Sequence, residues 1–403
     1  MCSSCKFAKT AAWIFVQGIF LLWTTCVHAI NLMGSELQLH GFLTQGVVIT
    51  SDNNFLGQSN KKASTDFREI GVNASLRPTS DVQLSAGLLS HKAGGTDNGE
   101  LRLDYGLIDW TVSSSEEGRG GIRLGRVKNA YGLYNKTRDV AFTRPSALLP
   151  QSIYFERTRN VTVASDGAEL YLDRYYEAGS LFVTFALGQP QIGSDASKVA
   201  LLGLIPNGSL ESKLMPIFQV IFEGDGGRYR LGFTTLQLDA HYNPGVRDVL
   251  QAGQMQFTPK IFSAQYNAER WSLTSEYSLR PSSIQSFGRN APDSTTHGQS
   301  YYVQGSYRLA PKWEALLRYD VMVADREDRD GKAFAAATRR PGFTRFSKDL
   351  TAGVRFDLTP ELMLRAEYHR VDGTGYLPAQ DNPNPLAQER RWDMLMLLAS
   401  FRF

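Results

Sequence analysis

The sequence predicts an all-β fold, a transmembrane antiparallel β-barrel of about 16 strands that occupies residues 30–403. Three observations predict it. Segments of roughly ten residues alternate between apolar and polar side chains, as membrane-spanning strands do. The connections between these segments are alternately short and long, and the chain ends on two aromatic residues, Phe401 and Phe403.

Residues 1–29 have the pattern of a secretory signal peptide. Lys6 and Lys9 precede an apolar run over residues 11–22, and Val27-His28-Ala29 offers small side chains to a signal peptidase. The apolar run is shorter than the roughly 20 residues that a membrane-spanning helix requires. We therefore expect cleavage before Ile30.

All three cysteines, Cys2, Cys5 and Cys26, lie within this segment. The mature chain is therefore expected to have neither a thiol nor a disulfide. Attachment of lipid at Cys26 is an alternative, but Trp23, Thr24 and Thr25 are a poor match to the apolar and small residues that should precede a lipidated cysteine.

Charge and hydropathy exclude two classes of protein. The formal net charge is +3, and it falls to +1 once the two lysines of the leader are removed. Such a neutral balance predicts no nucleic-acid partner. The mean hydropathy of −0.27, with no later stretch of 18 apolar residues, excludes a bundle of membrane helices.

The alternation is clear in the segment from 350 to 358, where one face is apolar and the other polar. Leu350, Ala352, Val354, Phe356 and Leu358 alternate with Thr351, Gly353, Arg355 and Asp357. A soluble β-sandwich would show the same alternation, so the connections have to decide between the two folds.

Seven tight connections alternate with eight longer ones, which is typical of periplasmic turns and extracellular loops. This order predicts sixteen strands with both chain ends on the periplasmic side. The longer connections lie near 51–64, 92–100, 128–160, 190–212, 243–253, 282–297, 325–347 and 373–387.

Aromatic residues near the ends of the segments predict the interfacial girdles of a membrane barrel. The residues expected there are Trp110, Tyr171, Trp271, Tyr307, Trp313 and Trp392.

The chain ends on Phe403, with residues 395, 397, 399 and 401 on the same face of the last strand. With this ending and this order of turns and loops, it resembles Gram-negative porins of the sixteen-stranded general-diffusion type over residues 36–403. The resemblance implies a cell outer-membrane location, contact with outer-membrane lipid and lipopolysaccharide, and a homotrimer. It also implies that the barrel-assembly machinery reads the terminal strand with Phe401 and Phe403.

The longest connection, 128–160, is the third, and the resemblance implies that it folds into the lumen and narrows the pore. Its charge is mainly basic, although such loops tend to be acidic, and it lacks their Pro-Glu-Phe-Gly type motif. A solvated outer loop is the alternative. The residues expected at the constriction are Lys136, Arg138, Asp139, Arg144, Glu156, Arg157 and Arg159, with Lys128 at the start of the loop.

Alternation also assigns charged strand residues to the lumen, because an arginine facing lipid at mid-depth costs about 2–4 kcal/mol. Arg126 breaks this parity, so we expect a bulge or a protein-covered outer face there. The lumen wall is expected to contain Arg102, Asp104, Arg123, Arg318, Asp320, Arg355 and Arg365. Further inward-facing charges are Arg280, Arg308, Glu276, Glu314, Asp357 and Glu367.

Guanidinium groups stay ionised and match carboxylates and phosphates, so a basic constriction lowers the barrier for anions. The sequence therefore predicts a diffusion channel for small hydrophilic solutes and ions with a mild anion preference. Two alternatives remain open. One is a substrate-specific porin for small anionic nutrients, and the other is a closed surface barrel that acts as an adhesin or receptor through its loops.

Enzymatic chemistry is not predicted. The histidines after residue 29 are scattered without metal-ligand spacing, and the sequence has no G-x-S-x-G, H-E-x-x-H or G-x-x-x-x-G-K motif. We therefore expect no catalytic residue, no metal and no cofactor.

Overall fold

The structure is a computed structural model that describes residues 30–32, 35–203 and 205–403. The expected signal peptide, 1–29, lies outside the described residues. Sixteen antiparallel strands form one closed sheet in which each strand pairs with its neighbours in the chain. The predicted fold class and strand number are confirmed.

Three of the strands are interrupted by one to two residues, and a short strand, Ile30–Leu32, pairs with the start of the first. The strands are β1 Ser35–Thr50, β2 Ser64–Leu76, β3 Val82–Ala93, β4 Asn98–Ser115, β5 Gly118–Lys128, β6 Ala164–Tyr176, β7 Gly179–Pro190, β8 Ser209–Ser212 with Met215–Gly224, β9 Tyr229–Leu236 with Leu238–Asn243, β10 Gly253–Phe257 with Lys260–Asn267, β11 Trp271–Gln285, β12 Ser294–Ala310, β13 Trp313–Val323, β14 Phe346–Asp357, β15 Leu362–Asp372 and β16 Arg391–Arg402.

The helices are short and lie in the long connections. They are α1 Arg159–Thr162, α2 Asp195–Leu202 and α3 Lys332–Thr338, with 3-10 turns at Asn135–Thr137, Ala141–Thr143, Glu156–Thr158, Gly342–Arg345 and Pro385–Ala387. Over the described ranges, no helix has the length and hydropathy needed to cross a membrane.

The barrel closes between its first and last strands. β1 pairs with β16 from Phe42 opposite Arg402 to Thr50 opposite Met394. Beyond this ladder, the backbone of Phe403 exchanges hydrogen bonds of 3.0 and 3.1 Å with the backbone of Gly41. The terminal aromatic residue therefore lies on the seam that closes the sheet.

Short turns gather at one end of the barrel and long loops at the other, as the sequence predicts. We name the loops L1 to L8 in chain order. They span 51–63, 94–97, 129–163, 191–208, 244–252, 286–293, 324–345 and 373–390. L2 is shorter than expected because β3 and β4 extend into the predicted connection.

A continuous apolar belt covers the outside of the barrel. Its side chains include Val72, Leu88, Ile108, Leu124, Leu172, Leu231, Leu273, Leu317, Leu350 and Leu397, of which Leu317 is 60% exposed. Soluble monomers rarely expose contiguous apolar patches of more than a few hundred Å². The belt therefore faces lipid, and the barrel spans a membrane.

The girdle prediction is correct for four aromatic residues and wrong for two. Trp110, Trp271, Tyr307 and Trp313 are exposed on the outside. Tyr171 and Trp392 are instead buried on the lumen side, where Tyr171 donates to Asp109 over 2.9 Å and the indole of Trp392 donates to the Gly373 carbonyl over 3.2 Å. Their strand parity, set by the neighbouring residues, points them inward.

The last strand is apolar on both faces because its inner face meets loops and not water. Trp392, Met394, Met396 and Leu398 are buried in one cluster with Phe55 of L1, Leu148 of L3 and Tyr376 of L8. The rings of Phe55 and Tyr376 are 5.7 Å apart, and those of Tyr376 and Trp392 are 6.0 Å apart. Three loops therefore pack onto this part of the wall.

Where L3 leaves the wall, three neighbouring strands place glycines side by side. Gly125, Gly167 and Gly188 are paired across β5, β6 and β7, and Gly125 has a φ of 125°, which side chains rarely adopt. A Cβ atom on Gly167 would collide with the carbonyl oxygen of Leu187. The sheet is thus too tightly packed here to accept a side chain.

We expect Gly167→Val to destabilise the barrel by about 1–3 kcal/mol, because the colliding atoms belong to backbone that cannot rotate away. The temperature at which the folded band is lost on unheated gels measures this. Gly305→Val is the matched control, since the nearest atom to its added Cβ is 3.9 Å away. Equal effects of both substitutions would contradict the explanation.

Candidate functional site: the lumen and its inserted loop

L3 folds into the lumen and contacts strands around most of the barrel, so the prediction of an inserted third loop is confirmed. Wall residues on seven strands bind it: Glu69 on β2, His91 on β3, Glu169 on β6, Gln219 on β8, Glu276 on β11, Arg318 and Asp320 on β13, and Arg365 and Glu367 on β15.

Charged wall residues satisfy the backbone of the loop where it crosses β13 and β15. The Ala147 amide donates to Glu367 over 2.6 Å, and Arg365 donates to the Arg144 carbonyl over 2.6 Å. Arg318 donates to the Leu148 carbonyl over 3.0 Å. Buried backbone groups need such partners, so these wall charges hold the loop in place.

Glu276 anchors the other side of the loop without any cation. Its carboxylate accepts hydrogen bonds from Tyr154 over 2.6 Å, Tyr302 over 2.9 Å and Ser263 over 2.7 Å. The Leu133 amide adds a fourth over 3.0 Å. Hydroxyl and amide groups, and not a basic side chain, thus bind this inward-facing carboxylate.

Five of the six basic residues of the loop region are neutralised by carboxylates. Three of those carboxylates, Asp104, Glu69 and Glu169, belong to the wall. The pairs are Lys128–Asp104 at 2.5 Å, Lys136–Glu169 at 2.9 Å, Arg138–Glu156 at 2.8 Å, Arg144–Glu69 at 2.6 Å, and Arg159–Asp139. The excess of basic residues in the sequence of the loop is therefore largely balanced by carboxylates in the folded protein.

Burial and ion pairing act in opposite directions on the two acids of the loop. Burial would raise the pKa of Asp139, but Arg159 and Lys128 hold that pKa well below its usual range. Burial would likewise raise the pKa of Glu156, but Arg138, His91 and Arg159 together more than offset it, so the net shift of the pKa is downward. Both carboxylates are thus stabilised in their ionised form.

Arg157 is different, since it makes no ion pair and no hydrogen bond with any residue that the structure describes. Its guanidinium carbon lies 5.2 Å from the Phe155 ring centroid, and that of Arg280 lies 5.1 Å from the same ring. Burial, with a smaller contribution from Arg345 of L7, lowers the pKa of Arg157 to about 10. We call Arg157, Arg280 and Arg345 the arginine cluster.

The predicted lumen-wall residues all face the interior, but they do not form one ring. Arg318, Asp320 and Arg365 bind L3, whereas Arg102 pairs with Asp97 at the long-loop rim at 2.6 Å. Arg123 bridges Asp109 and Glu169 at 2.9 and 2.5 Å. Arg355 pairs with Asp357 at 2.8 Å near the short-turn end.

The loop divides the lumen, and the remaining space is unevenly distributed. Glu276, Tyr302 and Met396 at mid-depth and Met363 near the short-turn end are all fully buried, so the wall from β11 to β16 is covered. A cavity of about 320 Å³ on the short-turn side is lined by Phe42, Tyr105, Arg123 and Lys136. Another of about 250 Å³ on the long-loop side is lined by Phe155, Arg157 and Arg280.

A third cavity of about 530 Å³ lies at the long-loop rim between L2, β4 and α2. Asp104 lines both this cavity and the one of 320 Å³. The two cavities therefore approach each other at Asp104, whose partner is Lys128.

Arg126 faces outward, as its parity requires, and is covered by protein groups. It pairs with Asp166 of β6 at 2.6 Å and donates to the Leu103 carbonyl over 3.0 Å. The ladder between β5 and β6 continues through this residue without a register shift, so the expected bulge is absent from that ladder. The covered outer face is the correct alternative.

Sequence reasoning missed three wall residues that hold L3, the acids Glu69 and Glu169 and the histidine His91. All three occupy inward positions on their strands, so their parity could have identified them. Their pairing with particular loop residues is a tertiary feature. Among residues 30–32, 35–203 and 205–403, no group of three or more His, Cys, Asp or Glu side chains is arranged to hold a metal ion.

Two arginines of the loop should differ sharply in their contribution to stability. Arg144→Ala leaves Glu69 buried without its partner, and we expect a loss of about 3–5 kcal/mol. Arg157→Ala removes the same charge but breaks no ion pair, so its effect should be much smaller. Thermal unfolding in detergent measures both, and a loss for Arg157→Ala as large as that for Arg144→Ala would contradict the assignment.

No family model and no curated protein sequence matches the chain. Solved structures do share its fold. Outer-membrane expressed OmpT of Vibrio cholerae is 11% identical, with 93% of this chain and 100% of that chain aligned and a TM-score of 0.58. Salmonella typhi OmpF is 14% identical over 93% and 99%, with a TM-score of 0.57. An anion-selective porin from Comamonas acidovorans is 12% identical over 92% and 100%, with a TM-score of 0.56. This protein therefore has the outer-membrane porin fold.

Proposed function

We propose that this protein is a narrow channel in the outer membrane of a Gram-negative bacterium. It passes small hydrophilic solutes and ions with a mild preference for anions, and it is not an enzyme. The apolar belt, the porin fold and the loop folded into the lumen support the channel. The buried layer along β11 to β16 supports a narrow passage on the opposite side of the lumen.

The arginine cluster carries the anion preference. Arg157 and Arg280 form no ion pair with described residues, and Arg345 lies close enough to repel both. Asp320 partly offsets the charge of Arg280, and Asp325 and Asp328 partly offset that of Arg345, so Arg157 is the least compensated of the three. Uncompensated guanidinium groups raise the local concentration of anions and oppose cations. The paired bases of L3 contribute little net charge, so the anion preference depends on this cluster and not on the whole loop.

The partners proposed for the channel follow from its fold. Lipid and lipopolysaccharide contact the apolar belt, and the barrel-assembly machinery reads the final strand with Phe401 and Phe403. We propose a homotrimer as the assembly. A related fold, OmpT of Vibrio cholerae folded in vitro, has been obtained in a trimer form, with a TM-score of 0.55 to this chain.

A closed surface barrel that acts through its loops is the second candidate. The specific observation in its favour is that L1, L3 and L8 pack together against the inner wall. Such a barrel would have no ion conductance, so conductance separates the two candidates.

Purified protein reconstituted into planar bilayers should give discrete conductance steps. In a KCl gradient, the reversal potential should indicate chloride preference. Sealed bilayers under all voltages would exclude the channel and favour the closed barrel. Conductance with a cation preference would leave the channel but exclude the proposed selectivity.

The combined variant Arg157→Gln, Arg280→Gln and Arg345→Gln should move the reversal potential towards zero, because it removes three charges that have no ion-pair partner among described residues. Arg119→Gln, Arg174→Gln and Arg230→Gln form the matched control, since each of these arginines pairs with an acid near the short-turn end. Selectivity that changes only in the control would show that the filter lies elsewhere.

Oligomeric state is tested on gels of unheated detergent extracts. A trimer should migrate well above the 44.9 kDa expected from the full sequence and should collapse to the monomer on boiling. A single monomer band in mild detergent, with light scattering in agreement, would contradict the trimer.

A further inference from the structure

The cavity of about 250 Å³ on the long-loop side of L3 is enclosed by three parts of the fold. L3 forms one wall through residues 153–162, α2 of L4 forms a second through Ala200 and Leu201, and the strands from β8 to β11 form the third. Several of its lining residues, among them Ile153 and Val161 of L3 and Leu236 of the wall, also belong to the apolar cluster that packs L3 against these strands.

The lining of this cavity separates into a charged side and an apolar side. Arg157 and Arg280 supply the charge, and both guanidiniums lie over the Phe155 ring. The remaining surface is mainly hydrophobic and includes Ile153, Leu236, Leu238, Met255, Phe257 and Ile284. Five uncharged polar residues also line it: Thr158, Thr162, Gln256, Ser282 and Ser283. No Asp or Glu lines the cavity among the described residues.

The two guanidiniums have unused hydrogen-bonding capacity. The Nε atoms of Arg157 and Arg280 are buried and have no partner among the described residues. Arg280 donates one hydrogen bond from a terminal nitrogen to the Val323 carbonyl over 2.9 Å. Asp320 attracts its charge from a distance but forms no ion pair with it. Buried donors without acceptors are unfavourable, and a carboxylate matches guanidinium geometry.

Size and polarity restrict the ligand further. Pockets for small ligands typically start at about 300 Å³, so this cavity suits a body of about one ring or a short acyl chain. A strongly hydrated anion such as phosphate would leave several oxygens against hydrocarbon, which is costly. A ligand with one carboxylate and an apolar body satisfies both sides.

We propose that the cavity between L3, α2 and β8–β11 is a binding site for small amphipathic carboxylates, with Arg157 and Arg280 binding the carboxylate. The proposal rests on the proposed function and deepens it, because it names a substrate class for the channel. Bound ligand would lie on the long-loop side of L3, where exchange with outer solvent is possible.

Benzoate is the probe, and isothermal titration calorimetry on the full-length detergent-solubilised protein measures its binding without requiring conduction. Benzamide has the same ring without charge, and acetate has the same charge without the ring. We expect benzoate to bind at least tenfold more tightly than either. In bilayers, benzoate should reduce chloride current more from the long-loop side than from the short-turn side.

Arg157→Gln and Arg280→Gln should each weaken benzoate binding about tenfold. Arg230→Gln should bind benzoate as the unsubstituted protein does, since Arg230 pairs with Glu223 at 2.8 Å away from the cavity. Folding of every variant is checked by the heat-dependent gel shift, so a variant that fails to fold is replaced by Arg157→Lys or Arg280→Lys. These keep the charge but lose the forked donor, and they should bind benzoate several-fold more weakly.

The outcomes separate this inference from the proposed function. Conductance with chloride preference but no benzoate binding overturns the site and leaves the channel. Equal binding of acetate and benzoate shows an anion site without an apolar part and overturns the ligand class. Benzoate binding in a protein that never conducts supports the site but overturns the channel.

Discussion

The structure depends on one constraint, which is that a strand in lipid must pair on both edges. Within the membrane no water can satisfy a free backbone edge, so the sheet has to close. β1 and β16 meet along the ladder from Phe42 to Thr50, and the backbone of Phe403 extends the seam to Gly41. Closing sixteen strands encloses a lumen too wide for wall side chains to fill. The inserted loop is a consequence of this geometry.

A loop placed inside such a lumen needs partners for its charges and for its backbone. The wall supplies both, through Glu69 and Glu169 for the basic side chains and through Arg318, Arg365 and Glu367 for the backbone. Most charges near the loop therefore fix its position, and few are left to act on a passing ion. Arg157 stands out because its charge has no such role.

The two sides of the lumen differ in what they offer a solute. From β13 across the seam to β3, the loops L1, L3 and L8 cover the wall with a packed apolar and aromatic layer, to which Phe55, Tyr376 and Trp392 contribute. Along β4 to β6, charged cavities lie above and below the loop and approach one another at Asp104.

The sequence alone determined the barrel, because period-two alternation and alternating turn lengths are local properties that specify strand number and the inward face. Parity placed Arg318, Asp320 and Arg365 inside correctly, and it would have placed Tyr171 and Trp392 there as well. Only the tertiary structure decided which charges cancel. Arg144 meets Glu69 across 75 residues of sequence, whereas Arg157 meets no acid among the described residues. Net charge counted along a loop does not reveal this, since electrostatic compensation depends on distances between strands that are remote in the chain.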